Sequence, residues 1–80
     1  MVVGTGLEDR GMVYSPMSGV VVEINVYTGE EVEEGQVLLT IEAMKMQNDI
    51  HSPISGTIGE IFVDEKDRVN QGDRLILIEN

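Results

Sequence analysis

The chain contains no cysteine, and only five of its 80 residues are lysine or arginine. Without cysteine, neither disulfide bonds nor thiolate metal sites can support the fold. Fifteen acidic residues bring the formal charge to −10, which argues against nucleic-acid binding because that function requires concentrated lysine and arginine. No segment approaches the length of a membrane span, and the first nine residues lack a basic region or a long apolar run. We therefore expect a soluble, cytoplasmic protein that does not insert into membranes.

The short chain limits the kind of site that it can build. A single domain of this size buries only about 60% of the surface that its unfolded chain exposes, which leaves little room for a catalytic cleft. The single histidine, His51, directly precedes Ser52, and neighbouring residues of a strand point to opposite faces of a sheet. We therefore expect His51 at the surface, and we assign no catalytic residue and no metal ligand.

Most of the chain consists of two copies of one pattern, offset by 37 residues. The motif Ser15-Pro16-Met17-Ser18-Gly19 returns as Ser52-Pro53-Ile54-Ser55-Gly56. Twelve of the 28 positions from 15 to 42 are identical in the two copies. Self-similarity at a fixed offset indicates a duplicated structural unit.

Each copy has the features of short β-strands. β-branched residues follow the Ser-Gly turns, and glycine and proline interrupt any helical period. Strict alternation predicts that one face of the first strand carries Val20, Val22, Ile24 and Val26. Leu39 and Ile41 are predicted to point inward from a later strand. We predict an all-β fold, a flattened barrel or sandwich of two four-stranded antiparallel sheets with pseudo-twofold symmetry.

The repeat also predicts where the chain begins its fold and where the two copies join. Residues 1–12 carry three glycines without an apolar period, so we predict a flexible lead-in or linker there and a folded domain over 13–80. The offset relates Lys45, which lies between the copies, to Glu8 and to a position beyond Asn80. Lys45 should therefore lie at the end of the domain opposite to the chain ends.

The segment around Lys45 is predicted to be a hairpin. Alternation runs to Ala43 and resumes after Met46, which leaves Met44 and Lys45 as the two central turn residues. Such turns need positive φ at both positions and favour Asn-Gly or Asp-Gly, so Met-Lys is a poor local choice. A conflict of this kind is expected at a functional site. The residues alone leave open a longer, relaxed loop with a solvated lysine, in which the methionines cap the edge of the core.

The segment Glu42-Ala43-Met44-Lys45-Met46 resembles the Ala-Met-Lys-Met signature of biotinyl domains, the carrier modules of biotin-dependent carboxylases, decarboxylases and transcarboxylases. The resemblance covers about residues 14–79 and includes the motif at 15–19 and the turns at 29–30 and 35–36. It implies a barrel-sandwich hybrid fold, with biotin attached as an amide to Lys45 by a separate biotin protein ligase. Met44 and Met46 would be recognition residues for the ligase, within a motif that includes Glu42 and Ala43.

The resemblance further implies a carrier that is not itself an enzyme. Its biotin would move a carboxyl group between the active sites of biotin carboxylase and carboxyltransferase or decarboxylase subunits. The two copies align without a gap, which leaves no room for the protruding thumb of some acetyl-CoA carboxylase carriers and favours the other biotin-dependent enzymes.

Two other functions remain open. A lipoyl carrier domain of a 2-oxo acid dehydrogenase or glycine cleavage system shares this fold and lysine, but that family usually has an acidic residue where Met44 stands. The domain could instead be an unmodified binding module that docks through its hairpin. One position departs from the biotinyl pattern, because Lys66 stands where the first copy has Gly29. If that turn needs positive φ, Lys66 is strained.

Overall fold

The computed structural model describes residues 11–80, in which the regular elements are eight β-strands. In chain order they are β1 (Met12–Tyr14), β2 (Gly19–Ile24), β3 (Glu31–Val32), β4 (Val37–Ala43), β5 (Met46–His51), β6 (Gly56–Ile61), β7 (Arg68–Val69) and β8 (Arg74–Glu79). The segments rich in valine, isoleucine and leucine form the longer strands, because their branched side chains suit a half-buried pleated surface.

The strands form two four-stranded antiparallel sheets, with the orders β1-β8-β6-β3 and β5-β4-β2-β7. The offset of 37 residues carries β1 onto β5, β2 onto β6, β3 onto β7 and β4 onto β8. It therefore exchanges the two sheets, and each sheet contains strands from both copies. The predicted all-β fold with two pseudosymmetric sheets is confirmed, and neither copy can complete a sheet without the other.

The core is aliphatic, and its buried apolar residues are all valine, leucine or isoleucine. Leu39 and Ile41 are fully buried, as predicted, and so are Leu38, Leu75 and Ile76. Fully burying one such side chain stabilises a fold by roughly 1.5–3 kcal/mol. This packing supplies a rigid base for the two strands that carry the hairpin.

The face predicted for β2 is wrong in its first half. Val21 is fully buried, whereas Val20 and Val22 are half-buried. The pairing of β2 with β4 shifts register between Val21 and Glu23, which is a β-bulge. The additional residue of a bulge interrupts the alternation of side chains, so that Val26 is buried as predicted although Val20 is not. β6 has the same irregularity at the equivalent position.

The pairing of the strands defines two opposite ends of the domain. β7 pairs with the start of β2 through Val69 and Gly19, and β3 pairs with the start of β6 through Val32 and Gly56. The segment 19–32 therefore starts where the segment 56–69 finishes, and it finishes where that segment starts. The two segments run along the domain in opposite directions. The start of β2 also lies beside the end of β4, and the start of β6 beside the end of β8. The β4–β5 hairpin thus lies at one end, the hairpin end, and the last strand finishes at the other, the terminal end.

The first strand begins within the residues predicted as a lead-in. Met12 starts β1 and pairs with Leu77, and Gly11 is buried. β1 is only three residues long, too short to produce a recognisable apolar period. Residues 1–10, the rest of the predicted lead-in, lie outside the described residues. Over residues 11–80, no helix is long and apolar enough to cross a membrane.

Candidate functional site

The β4–β5 hairpin closes with a two-residue turn. Ala43 pairs with Met46, and Met44 and Lys45 between them have φ values of 54° and 65°. Both values lie in the left-handed region, as in a type I′ turn, whose twist matches that of paired strands. The predicted turn is therefore confirmed, and the longer relaxed loop is excluded. A non-glycine residue in this conformation costs on the order of 1 kcal/mol or more, so the rest of the hairpin must hold the turn in place.

The tip of the hairpin is open to solvent. Lys45 is exposed, and the flanking methionines are exposed as well, Met44 to 93% and Met46 to 66%. Methionines that capped the edge of the core would be covered, so that interpretation does not apply. Within residues 11–80, the Lys45 amine takes part in no hydrogen bond or ion pair. A partner that approaches this end meets a free amine between two apolar side chains.

Side-chain hydrogen bonds hold the two strands together just below the turn. Thr40 and Asp49 face each other across the strands, and Thr40 Oγ1 donates to Asp49 Oδ1 at 2.9 Å. Asn48 Nδ2 donates to the main-chain carbonyl oxygens of Met46 at 3.3 Å and Ile41 at 3.5 Å. The bonds from Thr40 to Asp49 and from Asn48 to Ile41 join β5 to the buried strand β4, and the bond from Asn48 to Met46 lies within β5. Together they limit the movement of the turn. Asp49 therefore has a structural role.

Strand β2 approaches the base of the hairpin so closely that position 19 requires glycine. A Cβ atom on Gly19 would lie 2.8 Å from Ile41 Cγ2 and 3.2 Å from Ala43 Cβ, and it would also meet the main-chain oxygen of Glu42. Carbon atoms in favourable contact lie about 3.5–4.0 Å apart. From the sequence, Gly19 is recognisable only as a turn residue, because its contact with the hairpin depends on the pairing of β2 with β4.

The other two motif residues lie at the base of the hairpin. Ala43 is half-buried. Glu42 is exposed, and it lies between Val20 of β2 and Gln47 of β5 in the sheet. The structure thus brings the predicted site residues 42–46 together on one hairpin.

An open groove of about 550 Å³ lies beside the hairpin. It is lined by residues 16–18 of the turn before β2, by Gln71, and by the hairpin residues Ala43, Met44, Met46 and Asn48. The contribution of residues 16–18, Asn48 and Gln71 was not predicted from the sequence. The repeat marked the turn at 15–19, but nothing in the local sequence placed that turn next to Lys45.

The second lysine of the chain has a different setting. Lys66 has a φ value of 79° and lies between β6 and β7, where the first copy has Gly29 with a φ value of 95°. Its main-chain N–H donates to the carbonyl oxygen of Val21 at 2.6 Å. The turn thus needs positive φ, and its neighbours Glu65 and Asp67 are acidic. Lys66 is exposed, which makes it a natural control for Lys45.

His51 and Ser52 do not form a catalytic pair. His51 is exposed, and its Nδ1 lies 2.9 Å from the carbonyl oxygen of Gly35. Ser52 is buried, and its hydroxyl donates to the carbonyl oxygen of Ile54 at 2.6 Å. The expected surface position of His51 is confirmed. In the described part of the chain, no group of three or more histidine, cysteine, aspartate and glutamate side chains could hold a metal ion.

Two interleaved four-stranded sheets and an exposed lysine on a type I′ hairpin define a domain of the biotinyl and lipoyl attachment class. The model of the family described as "Biotin-requiring enzyme" matches residues 11–78, and the chain belongs to this family.

Similar proteins include the alpha chain of a carboxylase and the gamma subunit of a decarboxylase. The chain is 57% identical over 37 residues to the propionyl-CoA carboxylase alpha chain of Ruegeria pomeroyi. This match covers 46% of this chain and 5% of that protein. The chain is also 55% identical over 38 residues to the glutaconyl-CoA decarboxylase subunit gamma of Acidaminococcus fermentans. This second match covers 48% of this chain and 26% of that subunit. The matched regions are thus a small part of each relative.

The fold is also similar to part of a solved carboxylase. The crystal structure of the Kluyveromyces lactis urea carboxylase matches with a TM-score of 0.81 and 29% sequence identity. The match covers 85% of this chain and 6% of the urea carboxylase chain.

Proposed function

We propose that this chain is a biotin carboxyl carrier domain in which Lys45 is the attachment site. The observation that carries the proposal is the display of Lys45 at a φ value of 65° on the tip of a type I′ hairpin. Within residues 11–80, this hairpin is the place where two consecutive residues other than glycine adopt positive φ, although Asn-Gly would fold more readily there. Lys66 is also an exposed lysine with positive φ, but it has no exposed methionine beside it. The strained turn together with the exposed Met44 and Met46 therefore indicates selection for something other than folding at Lys45.

The residues of the hairpin fit the attachment of biotin. An amine attacks a carboxyl carbon only in its unprotonated form, so a ligase must enclose Lys45 Nζ and remove its proton. The exposed tip allows this, and no contact within residues 11–80 competes for the amine. In the attachment step, Nζ forms an amide bond with the activated biotinyl carboxyl carbon, and the activating group and one amine proton leave. The partner in this step would be a biotin protein ligase.

Met44 and Met46 would provide the recognition surface for that ligase, with Ala43 and Glu42 as further parts of the motif. Burying an apolar surface contributes about 25 cal/mol per Å², and these methionines offer apolar surface on both sides of the lysine. Lys66 lacks this surface, because its neighbours carry negative charge. The ligase would therefore distinguish the two lysines by their flanking residues.

When bound, biotin accepts a carboxyl group at one active site and releases it at another. The domain itself has no catalytic role in this proposal. Its β4–β5 hairpin orients Lys45, and its core carries the lysine at the hairpin end, opposite to the terminal end. Holding reactants in position can supply a large part of a rate enhancement. The partners would be biotin carboxylase and carboxyltransferase or decarboxylase subunits, or domains of the same longer chain.

The names of the similar proteins support biotin over lipoate, since they are carboxylases and a decarboxylase. The connections also favour an enzyme other than the thumb-containing type of acetyl-CoA carboxylase. The β2–β3 connection at residues 25–30 has the same length as the β6–β7 connection at residues 62–67. Neither connection therefore contains an inserted thumb.

Intact-mass measurement after co-expression with a biotin protein ligase tests the proposal. We expect one biotinyl group on the wild type and on Lys66→Arg, and none on Lys45→Arg, since arginine keeps the charge but cannot form the amide. The ligase is first shown to be active on another acceptor. A lipoyl adduct on Lys45, an adduct that persists in Lys45→Arg, or no adduct at all would contradict the proposal. The last result would favour an unmodified binding module.

A further inference from the structure

The groove beside the hairpin extends to both sequence neighbours of Lys45. Met44 and Met46 flank Lys45 directly, and both line the groove. An arm attached to Lys45 therefore begins between two residues of the groove lining. The volume of about 550 Å³ lies within the range of about 300–1,000 Å³ that small-molecule sites occupy.

One part of the groove lining is apolar. Pro16 and Met17 of the turn before β2 line it together with Ala43 and Met46 of the hairpin. Unbranched methionine side chains adapt to irregular apolar shapes and make favourable contacts through their polarisable sulfur. The aliphatic chain and the sulfur-containing ring of biotin have this character.

The other part is polar and has unused hydrogen-bonding capacity. Ser18 Oγ accepts the main-chain N–H of Gln71 at 3.3 Å, which leaves the serine hydroxyl proton free to donate. Asn48 Nδ2 donates to two main-chain carbonyls, which leaves Oδ1 as an acceptor. The side-chain amide of Gln71 has no partner within residues 11–80. The ureido ring of biotin has one carbonyl acceptor and two N–H donors, so donors and acceptors match.

We propose that the biotin attached to Lys45 folds back into this groove of its own domain. Its ureido carbonyl accepts from the Ser18 hydroxyl, an ureido N–H donates to Asn48 Oδ1, and its apolar part packs on Met17 and Met46. This inference rests on the proposed biotinylation of Lys45. The arm then has a docked state, which it leaves before it enters the active site of a partner enzyme.

The repeat supplies a matched control for Ser18. Ser55 occupies the equivalent position at the terminal end, where its Oγ accepts the main-chain N–H of Glu34 at 3.0 Å. Ser18→Ala and Ser55→Ala therefore remove the same type of turn hydrogen bond. Only Ser18 lines the groove, so only its replacement should affect a docked arm.

Two measurements on the domain purified in its apo and biotinylated forms test the docked state. In backbone amide NMR spectra, biotinylation should shift the signals of Met17, Ser18 and Gln71 as well as those of the hairpin. In stopped-flow capture by avidin, which encloses the ureido ring, Ser18→Ala should react up to about fivefold faster than the wild type, the change expected for one lost hydrogen bond. Ser55→Ala should react at the wild-type rate.

The possible outcomes separate this inference from the proposed function. Shifts confined to residues 43–46, together with equal capture rates for all three proteins, would overturn the docked arm and leave the carrier function intact. Equal acceleration in both serine variants would also overturn it, because the effect would then come from a loosened turn. Failure to obtain a biotin adduct at all would overturn both proposals, and the mass spectrum reports that result separately.

Discussion

Replacing Gly19 with alanine tests whether direct contact with β2 holds the hairpin that carries Lys45. The new Cβ atom would lie 2.8 Å from Ile41 Cγ2 and would meet the main-chain oxygen of Glu42. Ile41 is fully buried, so the clash is relieved only if the base of the hairpin moves. Overpacking costs about 1–3 kcal/mol, and a main-chain obstacle places the expected loss of unfolding free energy near the upper limit, at about 2–3 kcal/mol.

Gly56→Ala is the matched control, because the repeat gives it the same surroundings at the terminal end. Its Cβ atom would lie 2.9 Å from Ile78 Cγ2 and would meet the main-chain oxygen of Glu79. Both variants should melt roughly 10–20 °C below the wild type when unfolding is followed by circular dichroism. At a temperature where all three proteins are folded, only Gly19→Ala should be biotinylated more slowly, by about tenfold or more, because only its hairpin is displaced.

Two results would refute this reasoning. If Gly19→Ala lost less than about 0.5 kcal/mol, the range of an ordinary surface substitution, then β2 and the hairpin would not be in close contact. If Gly56→Ala slowed biotinylation as much as Gly19→Ala, the effect would follow from reduced stability and not from the position of Lys45.

Three further predictions concern the strained turns and the exposed methionine. Lys66→Gly should leave the unfolding free energy unchanged or raise it by up to about 1 kcal/mol, because relief of the left-handed conformation offsets the entropy cost of glycine. Clear destabilisation in a urea titration would contradict the strain inferred from the φ value of 79° at Lys66. The double variant Met44→Asn, Lys45→Gly should gain about 1–2 kcal/mol while it loses the biotin adduct, and an unchanged or lower melting temperature would show that the turn is not strained. Met44→Leu should slow biotinylation by the ligase while the unfolding free energy stays within about 0.5 kcal/mol of the wild type, because the Met44 side chain is 93% exposed. An unchanged biotinylation rate would remove Met44 from ligase recognition.

Much of the fold could be predicted because the sequence contains two copies of one pattern. Turn residues and β-branched segments recur at one offset, so that a weak local signal at one position is supported by its equivalent in the other copy. The failure at Val20 and Val21 has a physical cause. Alternation assumes a regular strand, and the bulge between Val21 and Glu23 adds a residue that no local preference reveals.

One part of the candidate site could also be predicted from the sequence, and another part could not. The turn at Met44 and Lys45 could be predicted from the residues on either side, because a hairpin depends on local chain geometry. The groove could not be predicted, since it joins residues 16–18, Gln71 and the hairpin, which are far apart in the chain.

The sequence by itself determined the strands, the duplicated unit, the two-residue hairpin and the resemblance that singles out Lys45. These features depend on local preferences and on a repeat that can be read along one dimension. Only the tertiary structure decided that both copies contribute to each sheet, that Gly19 lies against the base of the hairpin, and that Ser18 and Asn48 line the same groove. These features depend on which strands pair and in which register, and the free energy of that pairing comes from contacts between distant parts of the chain.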